Sequence, residues 1–311
     1  MIKTNEERIK EAEAEVEALI KAGAPMANME MFNTLDHYVP SEKVKNQVEF
    51  TIDIYKELAD SIYEYPEEFQ KKFLDFLKRN DVRDNQSIEK EDMFMISFNA
   101  MYDKEFAIDK LLDRYGKVLT SEDFEQIHDL LLSGSSSSDK KGYRFNNLKF
   151  VGVYNPNVPA TFRSGDRVIE YFPIDYRQIE AAVDKLLDYY NHHIKDLTND
   201  YDVLIKPMVF HGLVAALQLF QDGNTRYGRL FQSVEMFELL NQQLGLNLPL
   251  PIVYATRQYA GFRDQYRNLV KKLVVENNEQ AWEEWFLFNM NRIQDAIWYN
   301  EMKLNELRRR M

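Results

Sequence analysis

Apolar residues recur every three to four positions through long segments of the chain, and the eleven glycines and nine prolines fall between those segments. That spacing predicts a mainly α protein. A first helix is expected from about Asn5 to Lys21, ending near Gly23 and Pro25; its Glu, Ala and Lys content suits a solvated or partner-facing surface helix. After Pro40, Ser41 is placed to cap a second helix with Val44, Val48, Ile52, Tyr55 and Leu58 on one face. Further helices are predicted from Pro66 to Arg79, Lys90 to Leu112, Ser121 to Leu132, Tyr176 to His192, Pro207 to Leu219, Arg226 to Leu244, Thr256 to Glu276 and Glu279 to Arg308. There is no internal repeat.

Two stretches break the helical pattern. The Ser-rich run from Ser133 to Gly142 reads as a surface loop. Leu148 to Tyr154 and Val168 to Phe172 have strand chemistry, with Asn155, Pro156, Pro159 and Gly165 between them, so they predict one β-hairpin. A lone hairpin is marginal in water. It must pack on the helices, where it is suited to act as a lid or a docking edge.

The 311 residues are enough for one large domain or two modest ones, and 45% hydrophobic with 29% charged residues is an ordinary globular composition. Lys and Arg number 39 against 51 Asp and Glu, and the resulting net charge of −12 argues against a general nucleic-acid binder, whose affinity rests on clustered basic residues. No cysteine is present, which removes disulfides, thiolate metal sites and Cys nucleophiles and suits a reducing compartment. No apolar run is long enough for a membrane span, and the amino terminus resembles neither a secretory nor a transit signal. A cytoplasmic location is therefore expected.

The informative stretch runs from Pro207 to Arg229 and reads as helix, tight turn, helix. Asp222-Gly223 breaks the first helix, and the second begins near Asn224 with Arg226 and Arg229 three apart. The amino-terminal amides of that helix and two guanidiniums together suit a di- or triphosphate, with Asp222 positioned for Mg²⁺ shared with the phosphates. The spacing fits equally well a packed helix-turn-helix in which Phe220 and Leu230 are core, Asp222 caps the second helix and both arginines are solvated.

The residues from Gln218 to Arg229 resemble the signature of the Fic (Fido) family, HxFx(D/E)GNGRxxR: Phe220, Asp222, Gly223, Asn224, Arg226 and Arg229 match it. Gly142-Tyr143-Arg144 with the hairpin is similar to the family's flap, Lys206-Pro207 to its entry into the first motif helix, and Thr256-Arg257, Tyr266 to Leu269 and Trp282 to Phe286 to its tail. The resemblance implies a Fic-type helical bundle with a β-hairpin flap over residues 90–300, preceded by an N-terminal helical extension over 1–89 and followed by a helix end over 301–311.

In that family the leading His is a general base and the usual reaction transfers AMP from ATP to a protein hydroxyl. Carried over, Asp222 holds Mg²⁺, Gly223, Asn224 and Thr225 supply anion-binding backbone, Arg226 and Arg229 bind phosphate, and the hairpin over 148–172 docks a protein partner. Gln218 stands at the base position. An amide cannot act as a base near neutral pH, and losing one forfeits about a hundred- to ten-thousandfold in rate. Thr225 replaces the motif's second Gly, and its side chain and dihedral limits are expected either to narrow the cradle or to change which donor fits.

The resemblance therefore implies nucleotide binding with weak or altered transfer, or else a silent nucleotide-sensing and protein-binding module. His211 lies about 10 Å along the helix from Gln218, too far to replace it, and suits a structural role. The histidines at 37, 128, 192 and 193 show no spacing that suggests a site. The family's inhibitory pattern, (S/T)xxxE(G/N), is not kept near Ser97, since Phe98 and Tyr102 occupy its defining places; Asp103 and Glu105 are the remaining acids able to face Arg229. Tyr254, Tyr259, Phe262 and Tyr266 are read as core. An oligomer is compatible with the sequence.

Overall fold

The computed structural model describes residues 4–35, 38–88, 98–114, 117–134, 138–155, 160–194 and 196–309. Among them, helices dominate and the only sheet has three short strands. The central helix is α7 (Asp202–Leu217), whose side chains are buried on nearly every side, as expected of a helix that is apolar all round. It runs beside α8 (Asn224–Leu244), and small residues bring the two close: a Cβ on Gly228 would stand 2.5 Å from the His211 ring. Trp285 from the long α11 (Glu279–Arg308) closes the other flank, donating its indole N–H to the Met208 carbonyl at 2.8 Å.

The earlier helices join the same core. α2 (Glu42–Tyr63) is capped by Ser41 as predicted, and buries Val44, Val48, Tyr55 and Leu58; its neighbour is α11, to which it is linked where Gln294 donates to Thr51 at 2.8 Å. α3 (Glu67–Ile88) packs on α9 (Thr256–Ala260), and α4 (Phe98–Leu112) on α5 (Ser121–Leu132). Residues on both sides of position 89 thus share one continuous hydrophobic cluster. The single helix expected from Thr256 to Glu276 is two, broken at Gly261, with α10 (Arg263–Val275) turned toward α7. The segment expected to run as one helix from Tyr176 to His192 contains α6 (Ile179–Asp188) followed by a π turn over Tyr189–His193. Pro207 lies inside α7 rather than at its start, because Asp202 already organises the first turn by accepting from the Thr198 and Asn199 amides.

The expected hairpin is a small antiparallel sheet ordered β1-β3-β2, formed by β1 (Val151–Tyr154), β2 (Arg163–Ser164) and β3 (Arg167–Tyr171), with a bulge at Val151/Gly152. α1 (Asn5–Lys21), closed by a capping box between Thr4 and Glu7, supports this sheet. Val16 and Ala24 form a satellite core with Ile169 and Phe172, and Phe172 exchanges backbone hydrogen bonds with Pro25 and Ala27. The first helix is thereby a prop for the sheet.

Candidate functional site

α7 ends at Gln218, which adopts a left-handed conformation (φ 51°, ψ 54°), and α8 starts after Gly223 (φ 77°). The connection between them is held from every side. Asn224 accepts from the Phe220 amide and donates to the Phe220 carbonyl, both at 2.9 Å, closing the turn around its own side chain. Arg144 donates to the Gln218 carbonyl at 2.5 Å and also bonds the Ile174 carbonyl, while the backbone of residues 142–144 pairs with Leu219 and Gln221. Burial lowers the Arg144 guanidinium to about 10, which nevertheless leaves it cationic at neutral pH.

Phe220 is clamped between two rings, Tyr143 at 4.7 Å and His128 at 3.7 Å. His128 also donates from Nε2 to the Asp222 carbonyl at 2.8 Å. Its sequence position gave no hint of this, because the contact joins α5 to a loop ninety-four residues away. Lys149 donates to the Gln221 carbonyl at 2.9 Å, and burial draws its ammonium down to about 8 against the pull of Asp222.

Gln218 points its amide back into its own helix: Nε2 donates to the Ala215 carbonyl at 2.7 Å and Oε1 accepts from Asn224 at 3.4 Å. His211 is buried and bonded at both nitrogens, to Gln232 at 2.5 Å and to Tyr266 at 2.8 Å, and burial lowers it to about 3. It is a neutral core histidine, in keeping with the structural role expected of it.

An open cleft of about 440 Å³ lies beside this turn. Gln218, Thr225 and Arg229 line it from the helix-loop-helix, Phe150 and Arg167 from the sheet side, and Tyr259, Arg263 and Tyr266 from α9 and α10. Four guanidiniums border it, those of Arg167, Arg229, Arg263 and Arg267, and no carboxylate is among its lining residues. First-turn amides of a helix have no intrahelical partner, so the start of α8 adds to the positive field.

The predicted site residues do not all meet there. Arg226 turns instead toward a small internal cavity of about 20 Å³ lined by Asp81 and Lys104, so the two motif arginines, both buried, serve different spaces. Asp222 does not line the cleft; its Oδ1 accepts from the Gly223 amide at 2.6 Å and lies 4.0 Å from Arg226. As a single carboxylate with Arg226 beside it, Asp222 is the kind of ligand that would hold Mg²⁺ only together with the phosphates of a bound nucleotide. No cluster of three metal-ligating side chains occurs among the described residues.

Tyr254, Tyr259 and Tyr266 are buried as expected, but Phe262 is 41% exposed, with the Arg292 guanidinium 3.7 Å above its ring. Ser97 lies outside the described residues; Asp103 accepts from Ser133 at 2.6 Å and Glu105 faces Arg79 at 3.8 Å. Arg167 and Arg263 were not visible as site residues in the sequence. Neither sits in a motif, and only the fold brings β3 and α10 to one cleft.

Fold and cleft together define a helical bundle in which a loop between two central helices and a small propped sheet enclose a cationic groove. Residues 118–236, from just before α5 through most of α8, match the Fic/DOC family. Solved structures share this Fic-type fold. A Fic family protein from Desulfovibrio desulfuricans G20 aligns with a TM-score of 0.54 at 16% identity, covering 86% of this chain and 76% of that one. A Fic domain containing signaling protein from Bacteroides thetaiotaomicron VPI-5482 gives 0.53 at 12% identity, over 82% and 97% of the two chains. Fic-1 from C. elegans gives 0.51 at 12%, over 84% and 73%.

Proposed function

We propose that this chain binds a nucleoside polyphosphate in the cleft, with a phosphate group at Thr225 and Arg229, and transfers a phosphate-containing group only slowly to a protein hydroxyl. The observation that carries this reading is a cleft bordered by four arginines with no lining carboxylate, in a chain of net charge −12. Such a groove concentrates anions, and buried guanidinium is the side chain best suited to phosphate.

Slowness follows because none of the residues lining the cleft is a carboxylate or histidine able to act as a base. Gln218 is engaged by Ala215 and Asn224, and both nitrogens of His211 are occupied. In the AMP-transfer form of the reaction the acceptor oxygen attacks the α-phosphorus, diphosphate leaves, and the hydroxyl proton passes to solvent. Positioning and electrostatics then supply the acceleration. The outer edge of the sheet at β1, where Tyr154 is exposed, is the surface we assign to a partner strand.

The Gln218 contacts favour a second reading, a silent module that senses nucleotide and binds protein. Incubation with labelled nucleotides, with and without Gln218→His, separates the two. Label on a protein acceptor with the native chain supports slow transfer, and label only after Gln218→His supports the module. Failure of ATP and other nucleoside triphosphates to bind either chain refutes both.

A further inference from the structure

The cleft carries more positive charge than one phosphate chain at the turn requires. Only Arg229 among its four arginines comes from the helix-loop-helix; Arg167 comes from β3, and Arg263 and Arg267 from α10. Their surroundings differ. Arg267 is held by Glu170 at 3.3 Å and Asp264 at 3.4 Å, and Lys271 shares Glu170 at 3.8 Å, so its charge is balanced within the protein.

Arg167 and Arg263 have no such balance. Arg167 donates to the Gly152 carbonyl at 3.3 Å and lies 4.9 Å over the Phe150 ring, and neither it nor Arg263 has a carboxylate within ion-pairing distance among the described residues. Acidic residues outnumber basic ones 51 to 39, yet these two guanidiniums, from separate elements, border one cleft uncompensated. Tyr259, Tyr266, Val270 and Phe150 contribute apolar surface to the same cleft, which suits a nucleoside.

We infer that Arg167 and Arg263 form a second anion subsite, and that the ligand is a nucleotide bearing an additional phosphate on its ribose. This rests on the nucleotide-binding reading above. One phosphate group lies at Thr225 and Arg229, the nucleoside lies against the apolar wall, and the ribose phosphate bridges the guanidiniums of the flap and α10. A planar fork on each wall holds a dianion in a way that a neutral base edge cannot reproduce. Binding also pins the sheet to α10, the two elements already joined by Glu170.

The test is calorimetric titration of the full chain with ADP and with ADP carrying an extra phosphate at the ribose 2′ or 3′ position. One phosphorylated form should bind about tenfold or more tighter than ADP, with a steeper salt dependence. The double variant Arg167→Gln with Arg263→Gln should lose that gain, its affinity for the phosphorylated form falling about tenfold more than its affinity for ADP, and it should fold, since both side chains are at least partly exposed. Equal affinity for all three nucleotides overturns this inference and leaves the nucleotide-binding reading standing. Equal loss for ADP and its phosphorylated forms in the double variant overturns it too, as does a gain seen only with an acidic peptide. Absence of binding by any nucleotide overturns both readings.

Discussion

The imidazole of His128 lies flat on the ring of Phe220, with centroids 3.7 Å apart and planes within 7°, while its Nε2 bonds the Asp222 carbonyl at 2.8 Å. One side chain of α5 therefore fixes both the apolar anchor and the backbone of the turn between α7 and α8. Truncation to His128→Ala removes buried ring surface and strands a carbonyl, which should cost about 2–4 kcal/mol. Denaturant unfolding measures this, and nucleotide affinity should fall with it because the turn loosens. An unchanged midpoint would show that the stack carries no weight.

The two motif arginines should behave differently when changed. Arg229→Ala removes a guanidinium from the cleft wall and should weaken triphosphate binding by about tenfold or more under conditions where the variant is fully folded. Arg226→Met removes a buried cation from the cavity it shares with Asp81, and should destabilise the fold by about 2–4 kcal/mol. Titration calorimetry and thermal melts on both variants check this; a large affinity loss in Arg226→Met at unaltered stability would contradict the assignment.

Acid should erode stability before the carboxylates titrate. His211 binds its proton near pH 3 in the fold but near its ordinary 6.5 when unfolded, so the unfolded chain takes up the proton first. The stabilisation is complete above the unfolded value and is lost as pH falls, by about 1.4 kcal/mol per unit. Burial shifts His128 in the same direction. Urea unfolding between about pH 6.5 and 4.5 should show this slope, and His211→Gln should flatten it.

Gly228→Ala tests how close α7 and α8 must come. Alanine improves helix propensity by about 1 kcal/mol. The added Cβ, however, would meet the His211 ring at 2.5 Å and its carbonyl oxygen at 3.1 Å, and the carbonyl belongs to a buried helix that cannot yield cheaply. The clash should win, with a net loss of about 1–3 kcal/mol in denaturant unfolding.

Mg²⁺ should reach the site with nucleotide and not ahead of it. Asp222 is a single carboxylate with Arg226 alongside, so Mg²⁺ titrated alone should give no measurable binding heat, while a chelator should weaken ADP binding. Tight Mg²⁺ binding without nucleotide, or ADP affinity unmoved by the chelator, would contradict this.

Much of the scaffold was legible because local chemistry marks it. The bounds of α1, α5 and α11 coincide with the predicted ones, where Thr4, Thr120 and Asn278 cap their first turns through side-chain oxygens. The turn before α8 was legible for the same reason, since Gly223 supplies the left-handed residue and Asn224 closes the loop on Phe220. The break at Gly261 was less visible, because the apolar spacing continues across it. α9 packs on α3 and α11, and α10 on α11 and α7, and these tertiary contacts accompany the change of direction.

Sequence by itself determined what depends on neighbours along the chain: the helical periodicity, the caps, the tight turn and the concentration of motif residues around it. Tertiary structure alone decided what depends on distance through space. It placed His128 under the turn, gave Arg226 and Arg229 different surroundings and set Arg167 and Arg263 around one cleft. The physical reason is that hydrogen bonds and ring contacts act over a few ångströms, whereas the partners they join here lie on elements tens of residues apart.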